Sequence, residues 1–113
     1  MSIERGEIWL ANLGPTVGGE IRKTRPVLIV SNNTNNVYNR VVTVLPLTSN
    51  TSKIFSFEVL LAEGIANLPR DSKAKADQIR TLDKSRLVKK IGALPSQQMN
   101  DVEKAMKIHL GLS

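Results

Sequence analysis

A chain of 113 residues with 41% hydrophobic and 23% charged residues has room for one globular domain, 1–113, and not for two of ordinary size. It contains no cysteine, which excludes disulfides, thiolate metal sites and cysteine nucleophiles together and suits a reducing compartment. Sixteen Lys and Arg against ten Asp and Glu give a net charge of +6, which suits a polyanionic partner.

Met1 to Gly6 is polar, with Glu4 and Arg5 charged, so no secretory leader is readable, and no apolar run approaches membrane-spanning length. A cytoplasmic protein with no membrane contact is expected. Gly6 to Ala11 predicts a first strand, with Ile8 and Leu10 alternating against Glu7 and Trp9, and Asn12 to Gly19 a long loop. Pro26 pushes Arg25 toward extended geometry at the entrance of a second strand, whose Val27-Leu28-Ile29-Val30 run predicts burial on both faces. Ser31 to Asn39 reads as a turn with one helical turn, Val41 to Leu45 as a third strand ending at Pro46, and residues 48–54 as a surface loop. Phe55 to Leu61 predicts a strand, Glu63 to Pro69 a connection, Asp71 to Ile79 a polar strand, Thr81 to Arg86 a tight turn and Leu87 to Leu94 a last strand. Ser96 is the expected N-cap of a terminal helix with Met99, Val102, Met106 and Leu110 on one face.

Short strands punctuated by Gly and Pro, with one long helix at the end, predict an α+β fold that is mainly β: a small, partly open barrel with a C-terminal α-helix. Too little helix separates the strands for repeated parallel crossovers.

The positive charge is concentrated. Residues 70–90 hold eight basic residues (Arg70, Lys73, Lys75, Arg80, Lys84, Arg86, Lys89, Lys90) against Asp71, Asp77 and Asp83. Such a segment suits nucleic acid, whose neutralised phosphates release counterions, and a solvated basic face is the competing reading. The only histidine, His109, falls in the terminal helix as a surface or interface residue, and there is neither a phosphate-binding glycine loop nor a metal-ligand spacing, so no metal or cofactor is expected. What remains is a set of polar residues at strand ends: Glu20, Arg22, Lys23 and Arg25; Thr48 and Ser49; and Lys75, Asp77, Gln78 and Arg80. Each also fits a plain role, Arg25 in a surface salt bridge and Thr48 in a turn.

These residues sit inside longer segments that, in order, resemble one family. Arg5-Gly6-Glu7-Ile8-Trp9, Gly14-Pro15-Thr16 with Gly19-Glu20, and Arg25-Pro26-Val27-Leu28-Ile29-Val30-Ser31-Asn32 are similar to the first two strands of MazF/PemK toxins. Pro46-Leu47-Thr48-Ser49, Leu68-Pro69-Arg70-Asp71-Ser72, the segment Asp77 to Leu87, and Gly92-Ala93-Leu94 continue the likeness across the chain. The resemblance implies an SH3-like barrel of the CcdB/MazF type, acting as a homodimer that cuts single-stranded RNA at short sequences without a metal and is neutralised by a cognate acidic antitoxin. It puts Arg25 and Thr48 at the principal catalytic positions. Glu20, Ser49, Asp77 and Gln78 match positions that line the RNA groove or assist the chemistry, and Lys75 stands where some members carry a functional arginine.

Metal-free cleavage can use the RNA's own 2′-hydroxyl as nucleophile, leaving a 2′,3′-cyclic phosphate and a 5′-hydroxyl. In that scheme Arg25 stabilises the phosphorane charge, Thr48 holds a nonbridging oxygen, and Glu20 or Asp77 is the candidate base. Arg22, Lys23, Lys75 and Arg80 would bind RNA backbone. Trp9 and Phe57 are assigned to the core and Phe55, near the loop, to RNA contact. Two rivals are a noncatalytic RNA-binding barrel and a CcdB-like gyrase poison, the latter disfavoured because the tail Ile108 to Ser113 lacks a tryptophan.

Overall fold

The computed structural model describes residues 2–15, 17–20 and 23–113. Among them seven strands form one antiparallel sheet: β1 (Glu7–Asn12), β2 (Thr24–Ile29), β3 (Val41–Thr48), β4 (Glu58–Leu61), β5 (Ser72–Lys75), β6 (Arg80–Asp83) and β7 (Leu87–Ala93). A short helix α1 (Asn33–Tyr38) follows β2, and the chain closes with α2 (Ser96–Leu110). The sheet order is β4-β5-β3-β2-β1-β7, with β6 paired to β3 beside β5.

The central strands are buried on both faces, and the reason is visible in the alternation of their side chains. Ile8, Leu28, Leu45 and Leu47 point into one core with Leu61, Leu68, Ala74, Leu94 and the Val102 and Ala105 face of α2. Trp9, Ala11, Val27, Ile29, Val42 and Val44 point into a second with Ile3, Leu13, Leu82 and Leu87. The uninterrupted Val27-Leu28-Ile29 run is therefore a strand between two apolar layers, as expected.

No strand ladder joins the two ends of the sheet among the described residues. These ends, β4 and β7, are bridged by the turn Ile65–Asn67 in the β4–β5 connection, where Asn67 Nδ2 donates to Ile91 O at 3.1 Å. Gly92 makes this possible, because a Cβ there would lie 2.3 Å from Ala66 O.

Several boundaries differ from the sequence expectations. β3 does not stop at Leu45 but runs through Pro46 to Thr48. Pro46 falls where β3 exchanges partners, Val44 pairing with Arg80 of β6 and Leu47 with Ala74 of β5, so its missing N–H interrupts neither ladder. The strand expected over Asp71 to Ile79 ends at Lys75, and Ala76–Gln78 form a 3-10 turn. The tight turn expected over Thr81 to Arg86 is β6 followed by a 3-10 turn at Lys84–Arg86. β4 begins only at Glu58, because the Glu58 N–H and carboxylate both close a turn on Phe55, at 2.9 Å each. Phe57 is consequently half-buried and stacked on Phe55 rather than in the core. Ser96 is the first residue of α2, whose cap is Pro95, and Leu110 is exposed. No helix among the described residues is long and apolar enough to cross a membrane.

Candidate active site

β2 and β3 run antiparallel with Val27 opposite Pro46, and continuing that register by two residues sets Arg25 abreast of Thr48. Alternation puts both on the same sheet face, Arg25 with Val27 and Ile29, Thr48 with Val42 and Val44, at the end where the core stops and solvent begins. They line one cleft of about 260 Å³, together with Pro26, Leu47, Ser49, Pro69, Arg70 and Ser72. Two arginines, Arg25 and Arg70, thus share one cleft with the hydroxyl residues Thr48, Ser49 and Ser72. The Thr48 Oγ1 accepts the Asn50 N–H at 3.3 Å, which occupies a lone pair and leaves its proton to be donated outward.

Thr48 also lines a second cleft of about 220 Å³ with Gly19, Asn50, Lys73, Lys75 and Gln78. Gly19 and Gln78 continue into a third, wider cleft with Glu20, Asp77, Ile79 and Arg80. The shared residues make one groove from Arg25 to Arg80. Gln78 Nε2 donates to Gly19 O at 2.9 Å, tying the β1–β2 loop to the turn after β5.

The floor of the middle cleft is a charge cluster. Thr48 pairs with Lys73 across β3 and β5, and Lys75 pairs with Glu58 across β5 and β4, so all four side chains share a face. The Glu58 carboxylate, with no exposed side-chain surface, bonds Lys73 Nζ at 3.0 Å through Oε1 and Lys75 Nζ at 2.7 Å through Oε2. Burial by itself would raise the Glu58 pKa, but the hydrogen bonds from Lys75, the Phe55 N–H and Lys73 outweigh it and hold the carboxyl at about 2. Lys73 Nζ donates as well to Lys53 O at 2.7 Å, pinning the loop between β3 and β4.

The sequence-derived residues separate accordingly. Arg25, Thr48 and Ser49 share the first cleft; Lys75 and Gln78 the second; Glu20, Asp77, Gln78 and Arg80 the third. Both candidate bases, Glu20 and Asp77, are in the third cleft and neither is in that of Arg25. Glu20 accepts the Val17 N–H at 2.6 Å, and Asp77 lies 3.8 Å from the Lys75 ammonium. Lys23 lines none of the three, its backbone at φ 73° and its carbonyl accepting the Leu13 N–H. Phe55 also lies outside them, engaged by Phe57 and by the Lys53 ammonium 4.8 Å from its ring centre. Arg22 lies outside the described residues, as does Thr16.

The basic segment does not act as one patch. Lys90 pairs with Glu7 at 2.8 Å on the β1–β7 side, raising the Lys90 pKa, while Lys84 bonds Asn36 O and Arg86 bonds Asn12 O at 3.3 Å. Only Arg70, Lys73, Lys75 and Arg80 reach the groove. Arg70, Ser72, Asn50 and Glu58 were not singled out from the sequence. Arg70 belongs to the basic run, and Arg70 and Ser72 both fall in the segment Leu68-Pro69-Arg70-Asp71-Ser72 that resembles the family, which was the signal for them.

Comparison with known proteins agrees with this fold. Residues 4–110 match the family described as "PemK-like, MazF-like toxin of type II toxin-antitoxin system". The chain is similar to "Endoribonuclease MazF9" of Mycobacterium tuberculosis, 38% identical over 115 residues that cover 97% of this chain and 98% of that one. Among solved structures it resembles MazF from Deinococcus radiodurans with a TM-score of 0.86 at 25% identity, covering 99% of both chains. It also resembles a mycobacterial endoribonuclease solved in complex with its cognate antitoxin, with a TM-score of 0.82 at 29% identity over 98% of this chain and 97% of that one. With the fold, the full-length match and the ordered segments in agreement, the chain belongs to the family of PemK-like, MazF-like toxins of type II toxin-antitoxin systems.

Proposed function

We propose that the protein is an endoribonuclease toxin that cleaves single-stranded RNA by attack of the RNA's own 2′-hydroxyl, with the scissile phosphate in the cleft of Arg25, Arg70 and Thr48. The observation that carries this reading is the convergence of two guanidiniums and one oriented hydroxyl on a single cleft at the end of β2 and β3. The relatives bearing the name endoribonuclease support the reaction class.

The chemistry needs no side-chain nucleophile. The 2′-oxygen bonds to phosphorus as the P–O5′ bond breaks, giving a 2′,3′-cyclic phosphate and a 5′-hydroxyl. Negative charge grows on the nonbridging oxygens, and Arg25 and Arg70 supply fixed N–H donors to it while Thr48 donates a third hydrogen bond. The 2′-hydroxyl must lose a proton, and Glu20 and Asp77, both lining the third cleft of the groove, are the candidate acceptors. Lys75, Gln78 and Arg80 bind the strand on either side, and Ser49 borders the reacting phosphate.

A cognate acidic antitoxin laid over the same basic groove is part of the reading, since one relative was solved with its antitoxin. So is a homodimer. The exposed Ile108, Leu110 and Leu112 at the end of α2 supply apolar surface for it, whereas β3, flanked by β2, β5 and β6, has little to offer a second subunit.

Arg25→Ala and Thr48→Ala test the site. Each is expected to lower the cleavage rate of an RNA oligonucleotide by about a hundredfold or more while the protein still binds it. Wild-type rates in both variants would remove the chemistry from this cleft.

A further inference from the structure

Two carboxylates are buried among the described residues. Glu7 is spent on Trp9, Lys90 and the Glu4 N–H. Glu58 is different, because everything it touches belongs to the groove or to the loop bordering it. We propose that Glu58 is a positioning residue that aims the Lys75 ammonium at the RNA phosphate next to the scissile one and, through Lys73, sets the loop carrying Ser49 and Asn50. The inference rests on the ribonuclease reading above and adds to it a residue and a second phosphate position.

The donor counts support it. An ammonium has three N–H donors. Lys73, 9% exposed at its side chain, gives one to Glu58 Oε1 and one to Lys53 O, so its work is internal. Lys75, 18% exposed and lining the middle cleft, gives one at 2.7 Å to Glu58 Oε2, and Asp77 at 3.8 Å is beyond a hydrogen bond. Lys75 therefore keeps donors for a ligand. Glu58, bonded to both ammoniums, and Asp77, 3.8 Å from Lys75, hold the Lys75 ammonium in a fixed place at the cleft. A free lysine would lose rotamer freedom on binding RNA, whereas Glu58 imposes that order at folding. Thr48 lies in both the first and the middle cleft, so a strand with its reacting phosphate against Thr48 brings the neighbouring phosphate to Lys75.

The test is a double-mutant cycle read in steady-state cleavage of one RNA oligonucleotide. Lys75→Met and Glu58→Gln are each expected to raise KM about tenfold with kcat changed less than about threefold, because a nonreacting phosphate is bound equally in ground and transition states. If Glu58 acts through Lys75, adding Glu58→Gln to Lys75→Met raises KM by less than about threefold more. A purely structural Glu58 would lower the unfolding midpoint without this nonadditivity. Unchanged KM in either single variant, or fold-changes that multiply in the double variant, overturns the inference. Should Glu58→Gln not fold, Glu58→Asp, which draws the charge back by one methylene, replaces it with the same expectation. If the wild-type protein cut no RNA, the ribonuclease reading would fail alone, and the same cycle would be judged on the Kd for the oligonucleotide.

Discussion

At the phosphate, a guanidinium does what an ammonium cannot: its planar fork matches two oxygens at once. Arg25 and Arg70 bring two such forks to one cleft. Arg25→Lys, which keeps the charge and loses the fork, is expected to lower the single-turnover rate by about a hundredfold, and rates near wild type would show that charge alone is needed there. Arg70→Ala is expected to cost about ten- to a hundredfold, the size of one charge-assisted hydrogen bond of about 1.5–3 kcal/mol; no change would leave Arg70 a bystander. Arg25 and Thr48 were legible in the sequence because each adjoins a readable strand end and falls in a segment resembling the family. Glu58 was not. A lone glutamate inside the strand expected over Phe55 to Leu61 reads as solvent-facing, and its importance comes from cross-strand pairing with Lys75, which no local pattern encodes.

At the level of elements, the strands with uninterrupted apolar runs were readable and the polar ones were not. β2 followed from Val27-Leu28-Ile29, β7 from the segment Leu87 to Leu94 between two turn signals, and α2 from its helical spacing. β5 and β6 are four residues each, joined by a 3-10 turn, and their charged sequences resemble a loop or one longer strand until β3 supplies partners for both. β3 was cut short at Pro46 because the exchange of partners that tolerates a proline is a property of the assembled sheet. The seam between β4 and β7 gives a test at this scale. Gly92→Ala would drive a methyl group into the Ala66 carbonyl, and a loss of about 1–3 kcal/mol in urea unfolding is expected. An unchanged midpoint would mean that the turn Ile65–Asn67 does not close the barrel.

Over the whole molecule, acid should act through the buried carboxylates. A carboxyl whose pKa is held down in the folded state adds stability that is fully present above its ordinary value and lost as pH falls toward the folded one. For Glu58 that window runs from 4.5 down to about 2, and Glu7, also lowered against the cost of its burial by Lys90, the Glu4 N–H and Trp9, adds in the same direction. Urea midpoints are expected to fall across this range, and Glu58→Gln to flatten the fall; a parallel profile in the variant would mean that the Lys73 and Lys75 pairs contribute nothing to folding. The overall architecture was legible because composition, strand spacing and the terminal helix all pointed to a small barrel. The groove was only partly so, since its three clefts join residues from four strands, three loops and the 3-10 turn after β5.

The account stands on substrate-assisted cleavage at the Arg25 and Thr48 cleft. The most direct measurement incubates the purified protein, in EDTA, with an RNA oligonucleotide and with the same oligonucleotide carrying a single 2′-deoxy substitution at the mapped cut. The first is expected to be cleaved to a 2′,3′-cyclic phosphate and a 5′-hydroxyl, and the second to stay uncut at that position. Equal cutting of both would contradict substrate-assisted cleavage.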